Sequence, residues 1–190
     1  MLTTPLLLIV PTLVFRMLGA FGVRRFDTWR VSFAHGLAVM LVFTGLAHFV
    51  PDTVDAMPSH DDLVAMVPAF VPFPGATVYL TGVLELLGAA GLVVTGTRRA
   101  AGLGLAALFV VMFPANVHAA VSDIPLNGDP ATPLWFRIPE QIVFIAVAVW
   151  VSGVTVSDMR EKLWGSPRNG DEFDQRSSTG LGREQGERLS

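Results

Sequence analysis

The 190-residue chain has no cysteine, and only 15% of it is charged. Without a thiol it can form no disulfide, no thiolate metal site and no dithiol redox centre. A soluble domain carries about 25% charged residues, so the shortage of charge is informative as well. Positive charge is missing from particular places. The stretches 51–75 and 122–135 contain no Lys or Arg, but they hold Asp52, Asp55, Asp61, Asp62, Asp123 and Asp129.

Apolar residues make up 52% of the chain and fall in five blocks, about 4–22, 31–50, 76–96, 100–121 and 136–154. Each approaches the roughly 20 apolar residues that a membrane helix needs. A buried helix of a soluble protein is shorter and keeps a polar stripe, whereas these blocks are apolar all round. Arg16 and Glu85 are the only ionised side chains well inside them, and Arg137 and Glu140 sit near an end. The expected fold class is therefore an all-α integral membrane protein.

The arginines orient it. Arg24, Arg25 and Arg30 separate the first two segments, Arg98 and Arg99 the third and fourth, and Arg160, Lys162, Arg168, Arg176, Arg183 and Arg188 follow the fifth. Basic connections stay cytoplasmic, which predicts five crossings with the N-terminus outside and the C-terminus inside. The first segment carries Pro5, Pro11 and Arg16, has no charge before it and is followed by Arg24 and Arg25. That order favours an uncleaved anchor over a signal peptide, with Arg16 snorkelling toward the inner end.

Between the second and third segments, "SHDDLVAMVPAFVPFPG" pairs Ser59 with Asp62 in a helix-capping pattern. It predicts one short turn of helix, then an extended, proline-punctuated stretch at the outer interface; a plain connector is the alternative. "TGTRRA" is a tight turn that predicts a hairpin of the third and fourth segments. Small residues suited to close helix approach occur in both: Gly82, Gly88, Ala89, Gly91 and Gly96, then Ala101, Gly102, Gly104, Ala106 and Ala107. After Trp164 the chain turns polar and Gly-rich, the composition of a disordered tail. The expected division is 1–30 for an anchor and its connection, 31–156 for a membrane core and 157–190 for a cytoplasmic tail.

Polar groups at membrane depth are costly and call for a reason. His48 lies near the outer end of the second segment, Asn116 and His118 near that of the fourth, and Arg137, Glu140 and Gln141 share one face at the start of the fifth. Glu85 lies about 14 Å below the outer end of the third segment, flanked at spacings of three and four by Gly82, Gly88 and Ala89. Pro114 can kink the fourth segment and turn Asn116 inward. Asn116 and His118 lie about 200° apart on an ideal helix, so His118 could instead sit at the headgroups. Each group also has a structural reading, as inter-helix glue, interfacial residue or ion-pair partner. A His48–His118 pair could hold haem, but nothing else in the sequence supports one, and neither a metal site nor nucleic-acid binding is expected.

"LVFTGLAHFVP", "MVPAFVPFPG", "YLTGVLELLGAAGLV", "RRAAGLGLAALFVVMFPANVHAA" and "RIPEQ" occur in an order that resembles the DoxX family over about 31–154. The resemblance implies a small bacterial inner-membrane protein with a four-helix antiparallel transmembrane bundle, to which the first segment would be an addition. Some members of that family are linked to quinone-reducing oxidoreductases or redox-stress assemblies, and many have no assigned activity. His48, Glu85, Asn116, His118, Arg137 and Gln141 fall at the matched positions, while Glu140 inherits no role.

The leading expectation is a membrane subunit or accessory of a quinone-linked redox system, with a lipid bilayer around it and an oxidoreductase as partner. In it, Arg137 bridges Glu85 and Glu140, and Asn116 and His48 complete the wall of an outward-facing cavity. A non-catalytic scaffold for a soluble partner and a small-molecule or proton pathway through Glu85 are the alternatives; the absence of an internal repeat weighs against an ordinary transporter.

Overall fold

The computed structural model describes residues 3–54 and 56–154. The tail expected over 157–190 lies outside the described residues. Within them every extended element is helical: α1 (Thr3–Ala20), a 3-10 turn (Arg24–Phe26), α2 (Trp29–Ala47), the short α3 (His60–Ala65), α4 (Pro74–Val93), α5 (Arg98–Val121) and α6 (Leu134–Ser152). All but α3 and the 3-10 turn are long and apolar enough to cross a membrane.

Local chemistry sets the boundaries. The Thr28 side chain accepts from Val31 N at 3.4 Å and so starts α2 at Trp29 rather than at 31. That helix stops at Ala47, and His48 is its cap rather than an interior residue. Pro74 occupies the first turn of α4, where its missing N–H costs nothing. Pro114 does not break α5, which runs through it from Arg98 to Val121.

Packing runs outward from α2, which touches α1, α4 and α6; α4 also packs on α5, and α5 on α6. Leu37, Met40 and Leu41 of α2 are buried with Leu92, Leu105, Phe144 and Val151 of the three later long helices. Small residues bring these helices close only at some of the expected places. Gly88 lies under Leu105 and Gly91 against Ala101, whereas Gly96 and Gly104 face open space and play no part in packing.

One end of the helices is rich in arginine. Arg25 Nη2 donates to Val93 O at 2.9 Å and Arg98 Nε to Leu92 O at 2.8 Å. The two guanidiniums thus satisfy carbonyls that the end of α4 leaves without helical partners. Arg16 lies 5.5 Å over the Trp29 ring at the same end.

The opposite end carries the connections 48–73 and 122–133. Ser59 and Asp62 form the expected capping box at the start of α3. The connection is more than a plain link. His60 Nδ1 donates to His48 O at 2.9 Å and its ring stacks on Tyr79 at 4.0 Å. Further along, Met66 O accepts from His118 Nδ1 at 3.0 Å, and Asp62 Oδ2 accepts from Asn127 N at 3.3 Å. The 48–73 stretch is therefore folded back on the cap of α2 and tied to α4 and α5.

Candidate functional site

Most of the polar side chains singled out from sequence gather at the loop-bearing end, in two groups. The first joins α2 to α4. Thr44 of α2 and its cap residue His48 are four residues apart, and Thr81 and Glu85 have the same spacing on α4, so each pair stands on one face. Glycines let the two backbones meet there: a Cβ on Gly45 would lie 3.3 Å from Glu85 Cβ, and one on Gly82 only 2.5 Å from His48 Cβ.

Glu85, 3% exposed, is held from two sides. Thr44 Oγ1 donates to its Oε2 at 2.6 Å, and His48 Nε2 stands 3.6 Å from its Oε1. The other ring nitrogen of His48 is 2.7 Å from Val78 O. A carbonyl can only accept, so Nδ1 bears a hydrogen and Nε2 is the nitrogen left to face the carboxylate. Two lone pairs facing each other would repel. A proton on either His48 Nε2 or Glu85 relieves that repulsion, and both side chains are buried.

The second group joins α5 to α6. Arg137 Nη1 donates to Glu140 Oε2 at 2.7 Å and Nη2 to Asn116 Oδ1 at 2.5 Å. Asn116 Nδ2 passes the chain on to Gln141 Oε1 at 3.4 Å, and Gln141 Nε2 donates to Phe109 O at 2.6 Å. Glu140 is as buried as its neighbours, and its Oε1 has no hydrogen-bond partner. The Arg137 side chain is the more accessible member, 24% exposed against 4% for Glu140.

The expected bridge from Arg137 to both carboxylates does not form. Arg137 binds Glu140, one helical turn away, and Glu85 is taken by His48 and Thr44 across the α2–α4 contact. His118 joins neither group, because its position on α5 turns it to Met66 O instead of toward Asn116. The two histidines weighed as a haem pair thus have separate partners, Val78 O with Glu85 for His48 and Met66 O for His118.

Two members were not singled out from sequence. Thr44 and Thr81 each lie four residues before a residue that was, and that spacing was the available signal. The expected Arg137–Glu140 contact, one turn along the helix, does form, while the Glu85 half of that bridge does not.

Residues 37–152, more than half of the chain, match the family described as Domain of unknown function (DUF8561). No curated protein and no solved structure matches the chain.

Proposed function

Since the chain belongs to this family of domains of unknown function, we propose its role from its own geometry: a multi-pass protein of a bacterial inner membrane that serves a quinone-linked redox system. In this reading α2, α4, α5 and α6 form a DoxX-like antiparallel bundle and α1 is an added anchor. The arginine end faces the cytoplasm, the loop-bearing end faces outside, and a partner oxidoreductase supplies electrons. The observation that carries it is the buried His48–Glu85 contact, Nε2 to Oε1 at 3.6 Å, with Thr44 on the other carboxylate oxygen. Reducing a quinone takes two protons with two electrons, and a buried acid–base couple at membrane depth can relay such protons. Arg137, partly exposed at the same end, is the donor available to a quinone carbonyl.

The orientation is tested by single-cysteine labelling, which the cysteine-free chain makes clean. Thr53 and Ser122 are exposed at the loop-bearing end and Thr95 at the other. Ser59 is unsuitable because it is buried in the α3 cap. Cysteines at Thr53 and Ser122 are expected to react with an impermeant reagent applied from outside, and one at Thr95 only after the membrane is opened. Outside reaction at Thr95 reverses the orientation.

The redox reading is tested on full-length protein in nanodiscs with a short-chain benzoquinone. Binding is expected, weakened about tenfold by Arg137→Lys, which keeps the charge but loses the two-pronged donor. If no quinone binds and none is found in an organic extract of the purified protein, the redox role falls and a membrane scaffold remains.

A further inference from the structure

A groove of about 350 Å³ runs between α1, α2 and α4, lined by Phe15, His35, Val42, Leu86, Ala90 and Val93 among others. Val42 and Ala90 are exposed, so it opens on the outer surface of the packed helices, which is the lipid side if they span a membrane. From Leu86 to Val93 it follows α4 for about 10 Å, at 1.5 Å per residue. An occupant meets almost only carbon there. His35 is the one polar residue of the lining, and its nitrogens are engaged or out of reach: Nδ1 is 2.8 Å from Val31 O, and Nε2 is buried. Such walls suit any hydrocarbon chain and by themselves select nothing.

The selection lies at one end of the groove. Val93 lines it, and the Val93 carbonyl is the one that accepts from Arg25 Nη2 at 2.9 Å. The preceding carbonyl, Leu92 O, accepts from Arg98 Nε at 2.8 Å. Two guanidiniums are thus fixed on adjacent carbonyls where the groove reaches the arginine-rich end. Arg25 is exposed and Arg98 partly buried, and Arg98 lies within the field of Arg25. A guanidinium carries five N–H donors, and each of these two spends one nitrogen on its carbonyl. Neither takes part in an ion pair among the described residues. Nor do their surroundings neutralise them, since the stretches 16–30 and 92–104 hold six arginines and one acid, Asp27. Like charges held side by side with donors to spare call for an anion, and phosphate oxygens match the guanidinium fork. An apolar groove that ends in paired guanidiniums is complementary to a molecule that joins hydrocarbon to phosphate.

We propose that this groove seats an anionic phospholipid, with one acyl chain lying along α2 and α4 and the phosphate held between Arg25 and Arg98. A zwitterionic lipid also brings a phosphate, but its ammonium is repelled by the same arginines, so the seat prefers a headgroup of net negative charge. Arg25 belongs to the α1–α2 connection and Arg98 opens α5, so the bound lipid ties the two together. The seat rests on membrane insertion and not on the quinone-linked reading. It lies at the end opposite the His48–Glu85 contact and Arg137.

The test uses full-length protein stripped of lipid in detergent, with binding followed by native mass spectrometry. The probes are dioctanoyl phosphatidylglycerol, dioctanoyl phosphatidylcholine and inorganic phosphate. The phosphatidylglycerol is expected to bind about tenfold more tightly than the phosphatidylcholine, and an equal concentration of inorganic phosphate is expected not to displace it. Arg25→Gln is expected to remove most of that preference, whereas Arg24→Gln, the same loss of charge one residue earlier, is expected to leave it. Since Arg25→Gln also frees a carbonyl of α4, Ala90→Phe supplies a second arm. It fills an exposed wall of the groove and keeps both guanidiniums, and it is expected to weaken both lipids about tenfold. Equal affinity for the two lipids overturns the seat, as does phosphatidylglycerol binding untouched by Ala90→Phe. An Arg24→Gln effect as large as that of Arg25→Gln shows a diffuse field in place of a seat, and displacement by inorganic phosphate shows a free-anion site; either overturns it too. No arm involves a quinone, so failure here leaves the redox role standing.

Discussion

Glu85→Leu is expected to destabilise the protein by about 3–5 kcal/mol, the usual cost of breaking a buried ionic pair by removing one member. The change strands His48 Nε2, buried, and the Thr44 hydroxyl, partly buried, together. Denaturation in mixed micelles is the measurement. The diagnostic result is the double change. His48→Leu in the Glu85→Leu background is expected to add little, because the stranded partner leaves with it, and the coupling should be about 1–3 kcal/mol. Glu85→Leu combined with Arg137→Leu should instead be additive within about 0.5 kcal/mol, since the two side chains belong to separate networks. Strong coupling of Glu85 to Arg137, or none to His48, contradicts the pairing described above.

Arg137→Leu is expected to cost about 3 kcal/mol, toward the lower end of that range because the guanidinium is partly exposed. Its removal leaves Glu140 buried with neither oxygen matched, since Oε1 already has no partner, and takes a donor from Asn116. Glu140→Leu in the same background should recover a large part of the loss by removing the isolated carboxylate. Full stability of Arg137→Leu alone would show that the second network contributes nothing.

The helices were legible because their signal is redundant. Five long apolar runs survive a misplaced boundary, and the boundaries moved by only a few residues, for reasons as local as the Thr28 cap and Pro74. The capping box at Ser59 was also readable, since both partners lie within one turn. Partner choice at the site was less so. Glu85 was placed correctly on a close-packed face by its glycine and alanine neighbours. Which cation it meets depends on how α2 and α4 turn toward each other, and no one-dimensional spacing carries that rotation. The sequence argument favoured the fixed charge of Arg137 and passed over the histidine that the Gly82 contact brings against α4. His118 shows the reverse case: its angular separation from Asn116 was computable in advance and did send it elsewhere.

Arg25 and Arg98 hold the last carbonyls of α4, and this complicates an obvious experiment. The standard way to probe how a membrane protein is oriented is to move its arginines and watch for inversion. Here two of the charges that would be moved are also the terminal ligands of a helix. A neutralised Arg25 or Arg98 would loosen the end of α4 as well as remove a charge that orients the chain in the proposed topology, and a loss of protein could be misread as a failed insertion. Added lysines on the opposite connections would perturb orientation without touching that helix end, and they are the cleaner instrument.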